Sequence, residues 1–225
     1  MVIWRPFATR SEQSAALADA VAAALDDALD RVPRPLLAVS GGTSPRAFLA
    51  RLGMLPLAWE QVDITLADDR WLPPDHADSN ARLVAETLLA GAATARWLPL
   101  VDMAAKPKVH VRMLNDTWTH GAPSVCVLGM GEDGHTASLF ADAPQWPHVN
   151  TTDDRFVLVQ PAQAPYLRVS WSLAGLREAG RCFLQIQGVA KRAVFEAAQS
   201  ADQDNAISRL IHSEGVTLDV FWSEE

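Results

Sequence analysis

Leu17, Val21, Leu25, Leu29 and Val32 recur at helical spacing, and Pro33 ends the pattern. Thr9 followed by Glu12 fits the capping box that opens such a helix. Beyond it the periodicity changes to short β-branched or aliphatic runs at residues 36–39, 62–66, 125–128, 156–159 and 182–187, most of them separated by segments of helical composition. Apolar runs of strand length alternating with helices predict an α/β domain built on a mainly parallel sheet flanked by helices. Residues 90–121 are the least decisive stretch, because Trp97, Lys106-Pro107 and Trp118 interrupt any helical reading. No linker, repeat or low-complexity tract divides the chain.

The length of 225 residues and the hydrophobic share of 49% suffice for one sizeable core, so a single domain over residues 1–225 is expected. Residues 14–29 lean apolar but contain Asp19, Asp26 and Asp27, so no window offers the roughly 20 uncharged residues of a membrane span. The start, Met1-Val2-Ile3-Trp4-Arg5-Pro6, lacks the basic and apolar blocks of a secretory signal, which makes the cytoplasm the expected compartment. Cys126 and Cys182 each lie in an apolar run and read as free buried thiols, a disulfide between them being the less favoured alternative in that compartment. A formal charge of -8 argues against nucleic-acid or anionic-membrane partners. Any anionic substrate must therefore meet a local cluster of basic residues.

Three loops follow predicted strands and are rich in Gly, Asp, Pro and Ser: residues 40–45, 68–79 and 129–135. In open α/β sheets ligands bind beyond the carboxyl ends of the strands, so these loops point to one site. Ser40-Gly41-Gly42-Thr43-Ser44-Pro45-Arg46 allows close backbone approach and leads into a helix whose free N–H groups and dipole favour an anion, although an ordinary tight turn has the same composition. Asp68-Asp69-Arg70-Trp71-Leu72-Pro73-Pro74 sets an arginine beside carboxylates that would orient it for a phosphate or carboxylate, or else forms a surface salt-bridge cluster. Ser79-Asn80 looks like the cap of a helix continuing through Leu89.

The most informative run is Gly129-Met130-Gly131-Glu132-Asp133-Gly134-His135-Thr136-Ala137-Ser138-Leu139-Phe140. Its glycines free the backbone at a strand end, and His135 comes just where an imidazole can face a ligand. A neutral imidazole, with an ordinary pKa of about 6.5, can take a proton from water at neutral pH. A structural histidine bonded to the loop backbone is the alternative. Gly188-Val189-Ala190-Lys191 again joins a strand to a helix and puts Lys191 in the first turn, and Arg168 after Pro165-Tyr166-Leu167 is a comparable candidate; both could equally be solvated. There is no His-x-x-x-His, no paired Cys motif and no G-x-S-x-G elbow, and residues 129–134 match G-x-G-x-x-G only superficially.

Taken in order, these runs resemble the 6-phosphogluconolactonase family, within the glucosamine-6-phosphate isomerase/6-phosphogluconolactonase superfamily. Its pattern of S-G-G-x-T/S-P, D-E-R-x-V-P with a later S-N, G-M-G-x-D-G-H-T-A-S-L-F and G-x-x-K extends here over about residues 36–198. The resemblance implies a Rossmann-like α/β fold and cofactor-free, metal-free hydrolysis of 6-phospho-D-glucono-1,5-lactone in the oxidative pentose phosphate pathway. It implies His135 as the base that activates water, with Gly41, Gly42, Thr43, Asp68, Arg70, Gly134, Arg168 and Lys191 at the substrate. It implies a small-molecule sugar-phosphate partner, and the chain is expected to be a monomer or weak dimer. Asp69 stands where the family has Glu, which raises the expectation of a less firmly oriented Arg70; Asn205-Ala206 replaces Pro-Ala, and Ala141 replaces the Pro of Leu-Phe-Pro. A deaminase or isomerase of another sugar phosphate is the first rival. Those deaminases carry a phenylalanine-asparagine-glutamate run after the shared Gly-His, where this chain has Thr136-Ala137-Ser138-Leu139-Phe140. A non-catalytic sugar-phosphate sensor is the second.

Overall fold

The computed structural model describes residues 1–224; Glu225, the last position of the domain expected over residues 1–225, lies outside the described residues. The chain runs β1 (Val2–Phe7), α1 (Arg10–Leu29), β2 (Leu36–Val39), α2 (Arg46–Gly53), β3 (Asp63–Leu66), β4 (Asp68–Arg70), α3 (Asn80–Glu86), α4 (Leu88–Gly91), β5 (Arg96–Trp97), α5 (Pro107–Thr117), β6 (Val125–Gly129), α6 (Trp146–Val149), β7 (Phe156–Val159), β8 (Arg168–Trp171), α7 (Leu173–Arg177), β9 (Arg181–Gln187), α8 (Gly188–Ser200), α9 (Ala206–Ile211) and β10 (Leu218–Ser223).

The five strands expected from apolar runs all form, each within one residue of its expected ends. Four of them join a 7-stranded sheet in the order β1-β10-β9-β6-β2-β3-β5, all of whose pairings are parallel. Every residue of β2 is buried, as expected of a strand covered on both faces. The fifth run, Phe156–Val159, instead pairs antiparallel with β8, which pairs antiparallel with β4. Trp171, fully buried, fastens this small sheet to the large one: its backbone N–H donates to Ala67 at 3.0 Å and its Nε1–H to Leu66 at 3.1 Å.

Strands β1 and β10 were not foreshadowed by an apolar run or a clean alternation. Val2–Phe7 contains Arg5 and Pro6, and its place at the sheet edge is where a proline costs no ladder bond. Helix α1 opens with the expected capping box: Glu12 N–H donates to Thr9 Oγ1 at 3.2 Å and Thr9 N–H to Glu12 Oε2 at 3.2 Å. Such a cap contributes about 1 kcal/mol. Leu17, Val21 and Leu25 are buried, but the helix ends at Leu29 and Val32 is exposed, so the apolar stripe stops before Pro33. The helix expected from Ser79 through Leu89 is broken at Thr87 (φ -120°, ψ -79°), whose hydroxyl donates back to the Leu83 carbonyl. The break lets α4 press on α2, where a Cβ on Gly53 would lie 2.4 Å from the Leu88 carbonyl oxygen. Cys126 and Cys182 are buried register partners on β6 and β9 and are free thiols.

Strand order reverses beside β2: the chain moves from β2 outward to β3 and β5, then returns to place β6 on the other side of β2. Connections leaving β2 and β6 therefore diverge, and a crevice opens beyond their carboxyl ends.

Candidate active site

That crevice is a cavity of about 260 Å³. Residues 40–45 form one wall, β4 and Asn80 a second, residues 129–131 with His135 and Ala137 a third, and Gln185, Lys191 and Arg168 complete it. The structure thus brings Gly41, Gly42, Thr43, Asp68, Arg70, His135, Arg168 and Lys191 together. Gly134, also expected at the substrate, is the exception. Its φ is +79°, a Cβ there would strike the Asn205 side chain at 2.5 Å, and its carbonyl accepts the Ile207 N–H at 3.0 Å. Gly134 seats the start of α9 and does not line the cavity.

The wall at residues 40–45 is tight for a physical reason. A Cβ on Gly41 would lie 2.0 Å from Asn80 Oδ1, and Gly42 has φ +104°, where a side chain would be strained. Helix α2 then starts with Pro45 at its cap position and no side-chain cap, and α8 likewise starts behind Gln187 without one. Neither cap residue's side chain takes up the first N–H groups, and both dipoles favour an anion. Arg46 does not contribute, since it pairs with Glu86 on the surface.

Arg70 Nη1 donates to the Asp78 carbonyl at 2.7 Å and to Asn80 Oδ1 at 3.0 Å. Asp69 does not touch the guanidinium, which corrects the expectation that neighbouring carboxylates orient it. Asp69 Oδ1 accepts the backbone N–H of Arg70 and of Asn80, each at 2.8 Å, and Oδ2 accepts the Ala81 N–H at 3.2 Å. It fastens the start of α3 to β4, and Asn80 then holds Arg70. Burial, with the charge of Asp68 adding to it, pushes the Asp69 carboxyl up to about 6 against the backbone hydrogen bonds that pull it down.

Asp68 Oδ2 accepts the Ser138 hydroxyl and lies 3.9 Å from Arg168 Nη1. Burial pulls the Arg168 guanidinium below its ordinary value, Asp68 opposes that, and Arg70 adds to it. The Nε atoms of both arginines are buried without a partner. Arg70, Arg168 and Lys191 against Asp68 leave the cavity net positive within a chain of charge -8, the local basic cluster that the overall charge demands.

His135 stacks on Phe140 with ring centroids 4.0 Å apart, and Arg168 lies 5.2 Å from the centroid of that same ring. Its Nδ1 is 2.6 Å from Asp133 Oδ1. A carboxylate at that distance accepts a hydrogen bond from Nδ1–H and keeps the proton on that nitrogen, so Nε2 is left with the lone pair. Partial burial works against the Asp133 carboxylate, but the hydrogen bond and charge of His135 outweigh it and hold its pKa below the usual range. A Cβ on Gly131 would sit 2.2 Å from His135 Nδ1 and 2.4 Å from Asp133 Oδ1, so the glycine is required by the pair itself. Asp133 went unassigned in the sequence; a carboxylate two positions before a loop histidine was the available signal. Asn80 read only as part of a helix cap, and Ser138 and Gln185 gave no signal.

The α/β fold, with a net-positive crevice at its strand ends and an imidazole held by a carboxylate beside it, has the layout of an enzyme site. Comparison with known proteins narrows the class. Residues 8–222 match the family model described as glucosamine-6-phosphate isomerases/6-phosphogluconolactonase. A 6-phosphogluconolactonase of Neisseria meningitidis is 42% identical, with 100% of each chain covered. Among solved structures, a candidate 6-phosphogluconolactonase from Neisseria gonorrhoeae superposes with TM-score 0.94 at 40% identity, covering 100% of both chains. A 6-phosphogluconolactonase from Shewanella baltica gives TM-score 0.92 at 31% identity, covering 99% of this chain and 98% of that one. The chain is a hydrolase belonging to the 6-phosphogluconolactonase family.

Proposed function

We propose that this chain, acting as one domain in the cytoplasm, hydrolyses 6-phospho-D-glucono-1,5-lactone to 6-phosphogluconate in the oxidative pentose phosphate pathway, with His135 as general base. The observation that carries the reading is the Asp133–His135 pair on the rim of a cavity that also holds Arg70, Arg168 and Lys191. Relatives sharing 42% of the sequence over its full length bear the corresponding name.

The phosphate is bound by the uncapped starts of α2 and α8 with Gly41, Gly42, Thr43 and Lys191, and Arg70 supplies a further cation. His135 Nε2 takes a proton from a water molecule as its oxygen attacks the C1 carbonyl. Negative charge develops on the carbonyl oxygen and is met by the cationic wall. In other hydrolases, loss of one such donor costs about 10²–10³ in rate. As the C1–O5 bond breaks, the ring oxygen takes the proton from the imidazolium, giving the carboxylic acid and the C5 hydroxyl, and the acid then releases its remaining proton to solvent to become the carboxylate.

The test is hydrolysis of freshly generated lactone at slightly acidic pH, where spontaneous opening is slow, by wild type and His135→Ala, with and without chelator. Wild-type turnover that resists chelator and drops by about 10²–10⁴ in the variant supports the assignment. Near-wild-type activity in His135→Ala overturns it, and release of ammonia from glucosamine 6-phosphate in place of lactone hydrolysis would favour the deaminase.

A further inference from the structure

Gln185 sits in β9 next to Gly129 of β6, its register partner, and both line the cavity. Parallel register partners face the same side of the sheet, and a Cβ on Gly129 would meet nothing within 4 Å, so open space lies beside the Gln185 side chain. Gln185 is only 5% exposed, yet its Oε1 is buried without a hydrogen-bond partner. An unpaired buried acceptor is costly, and one lining a cavity signals a ligand donor.

The orientation of this amide is dictated by its neighbours. Gln13 of α1, fully buried, places its side-chain nitrogen 2.7 Å from the Ile186 carbonyl and 2.8 Å from the Phe221 carbonyl. Both partners are acceptors, so that atom is the NH2 group and the other end of Gln13 is its oxygen. Gln13 Oε1 lies 3.1 Å from the side-chain nitrogen of Gln185 and 3.3 Å from that of Gln187. Gln185 is thereby forced to donate to Gln13, and its oxygen is the end left without a protein partner. Gln187 donates to the same oxygen and uses its own Oε1 to accept the Ser44 hydroxyl at 3.2 Å.

We propose that Gln185 is a specificity-determining residue whose Oε1 accepts a hydrogen bond from a hydroxyl of the bound sugar acid, and that Gln13 is the positioning residue that fixes this polarity. The inference rests on the sugar-phosphate reading above. A phosphate dianion and a lactone carbonyl offer only acceptors, so neither satisfies Oε1; an alcohol does. The cavity is thereby divided between a cationic wall for the anion and one acceptor for the polyol.

The experiment is calorimetric binding of 6-phosphogluconate and its 2-, 3- and 4-deoxy analogues to wild type, Gln185→Met and Gln13→Met. One deoxy acid is expected to bind wild type about tenfold more weakly than the parent. In Gln185→Met the parent should fall to that level while the same deoxy acid falls no further, and Gln13→Met should show the same pattern to a smaller degree. The proposal is overturned when all three deoxy acids bind wild type as tightly as the parent, or when Gln185→Met weakens all ligands by one common factor. The wild-type series decides even where a buried-strand substitution impairs folding. Lactone hydrolysis by the same wild-type preparation separates the two readings: turnover with no deoxy discrimination removes the role of Gln185 alone, whereas no turnover and no binding of the parent removes both.

Discussion

Asp133 Oδ1 stands 2.6 Å from Nδ1 of His135 and also accepts the His135 backbone N–H at 3.2 Å, so one carboxylate fixes both the ring and the turn that carries it. Asp133→Asn keeps the shape but loses the charge that holds the proton on Nδ1. We expect kcat to fall by at least about tenfold with KM changed less, measured on fresh lactone. The pair also has a pH signature. The folded pKa of Asp133 lies below its ordinary value of 3.8, so its contribution to stability is present above that value and is lost as pH falls through the lower, folded one. Melting curves of wild type and Asp133→Asn should converge only under strongly acidic conditions.

Gly131→Ala places a methyl group where the ring and carboxylate already are, 2.2 Å and 2.4 Å away. The pair must shift, and displacements of that order cost about 10² in rate. Circular dichroism should report an intact fold while turnover collapses. Full activity in a folded variant would show that the pair tolerates displacement.

Asp69→Glu restores the residue usual in the family, and no gain in substrate affinity is expected, because Asp69 holds the start of α3 and leaves the guanidinium of Arg70 to Asp78 and Asn80. At 2% exposure the added methylene should instead destabilise by about 1–3 kcal/mol, read by denaturant titration. Asn80→Ala is the substitution that should raise KM, since it removes the side chain holding Arg70 in place.

Asp69 should also be visible in the pH dependence of folding. Its carboxyl is raised from 3.8 to about 6, so its contribution is fully present below 3.8 and is lost as pH rises through 6. The melting-temperature advantage of wild type over Asp69→Asn should therefore shrink between about pH 4 and pH 7. An advantage that grows over that interval would contradict the raised value.

The interior of the sheet was legible because buried parallel strands are unbroken apolar runs, as at Leu36–Val39. Val2–Phe7 was not, since an edge strand carrying Arg5 and Pro6 lacks both signals that mark a strand. Leu218–Ser223 alternates no more clearly, its polar Asp219 being neutralised inside by Arg5 and Arg181. In the site, residues sharing one strand-end loop were readable from composition. Partners arriving from other elements were not: Asn80 reaches Arg70 across 10 positions, and Gln13 reaches Gln185 across 172. Gly134 is placed at the substrate only by the family resemblance, whereas in the structure its carbonyl and missing Cβ serve α9.

The parallel pairing of β1 with β10 also sets an order of events on the ribosome. Val2–Phe7 emerges first, but its sheet neighbour is Leu218–Ser223, and Gln13 needs the Phe221 carbonyl to settle its amide. Long-range parallel pairing of this kind is slow to form. A nascent chain released as far as residue 200 would hold every loop of the crevice yet keep an unpaired first strand and only one of the two carbonyls, that of Ile186, that hold the Gln13 amide. The second anchor of Gln13 is thus among the last features the growing polypeptide acquires, and it arrives with the strand that closes the sheet.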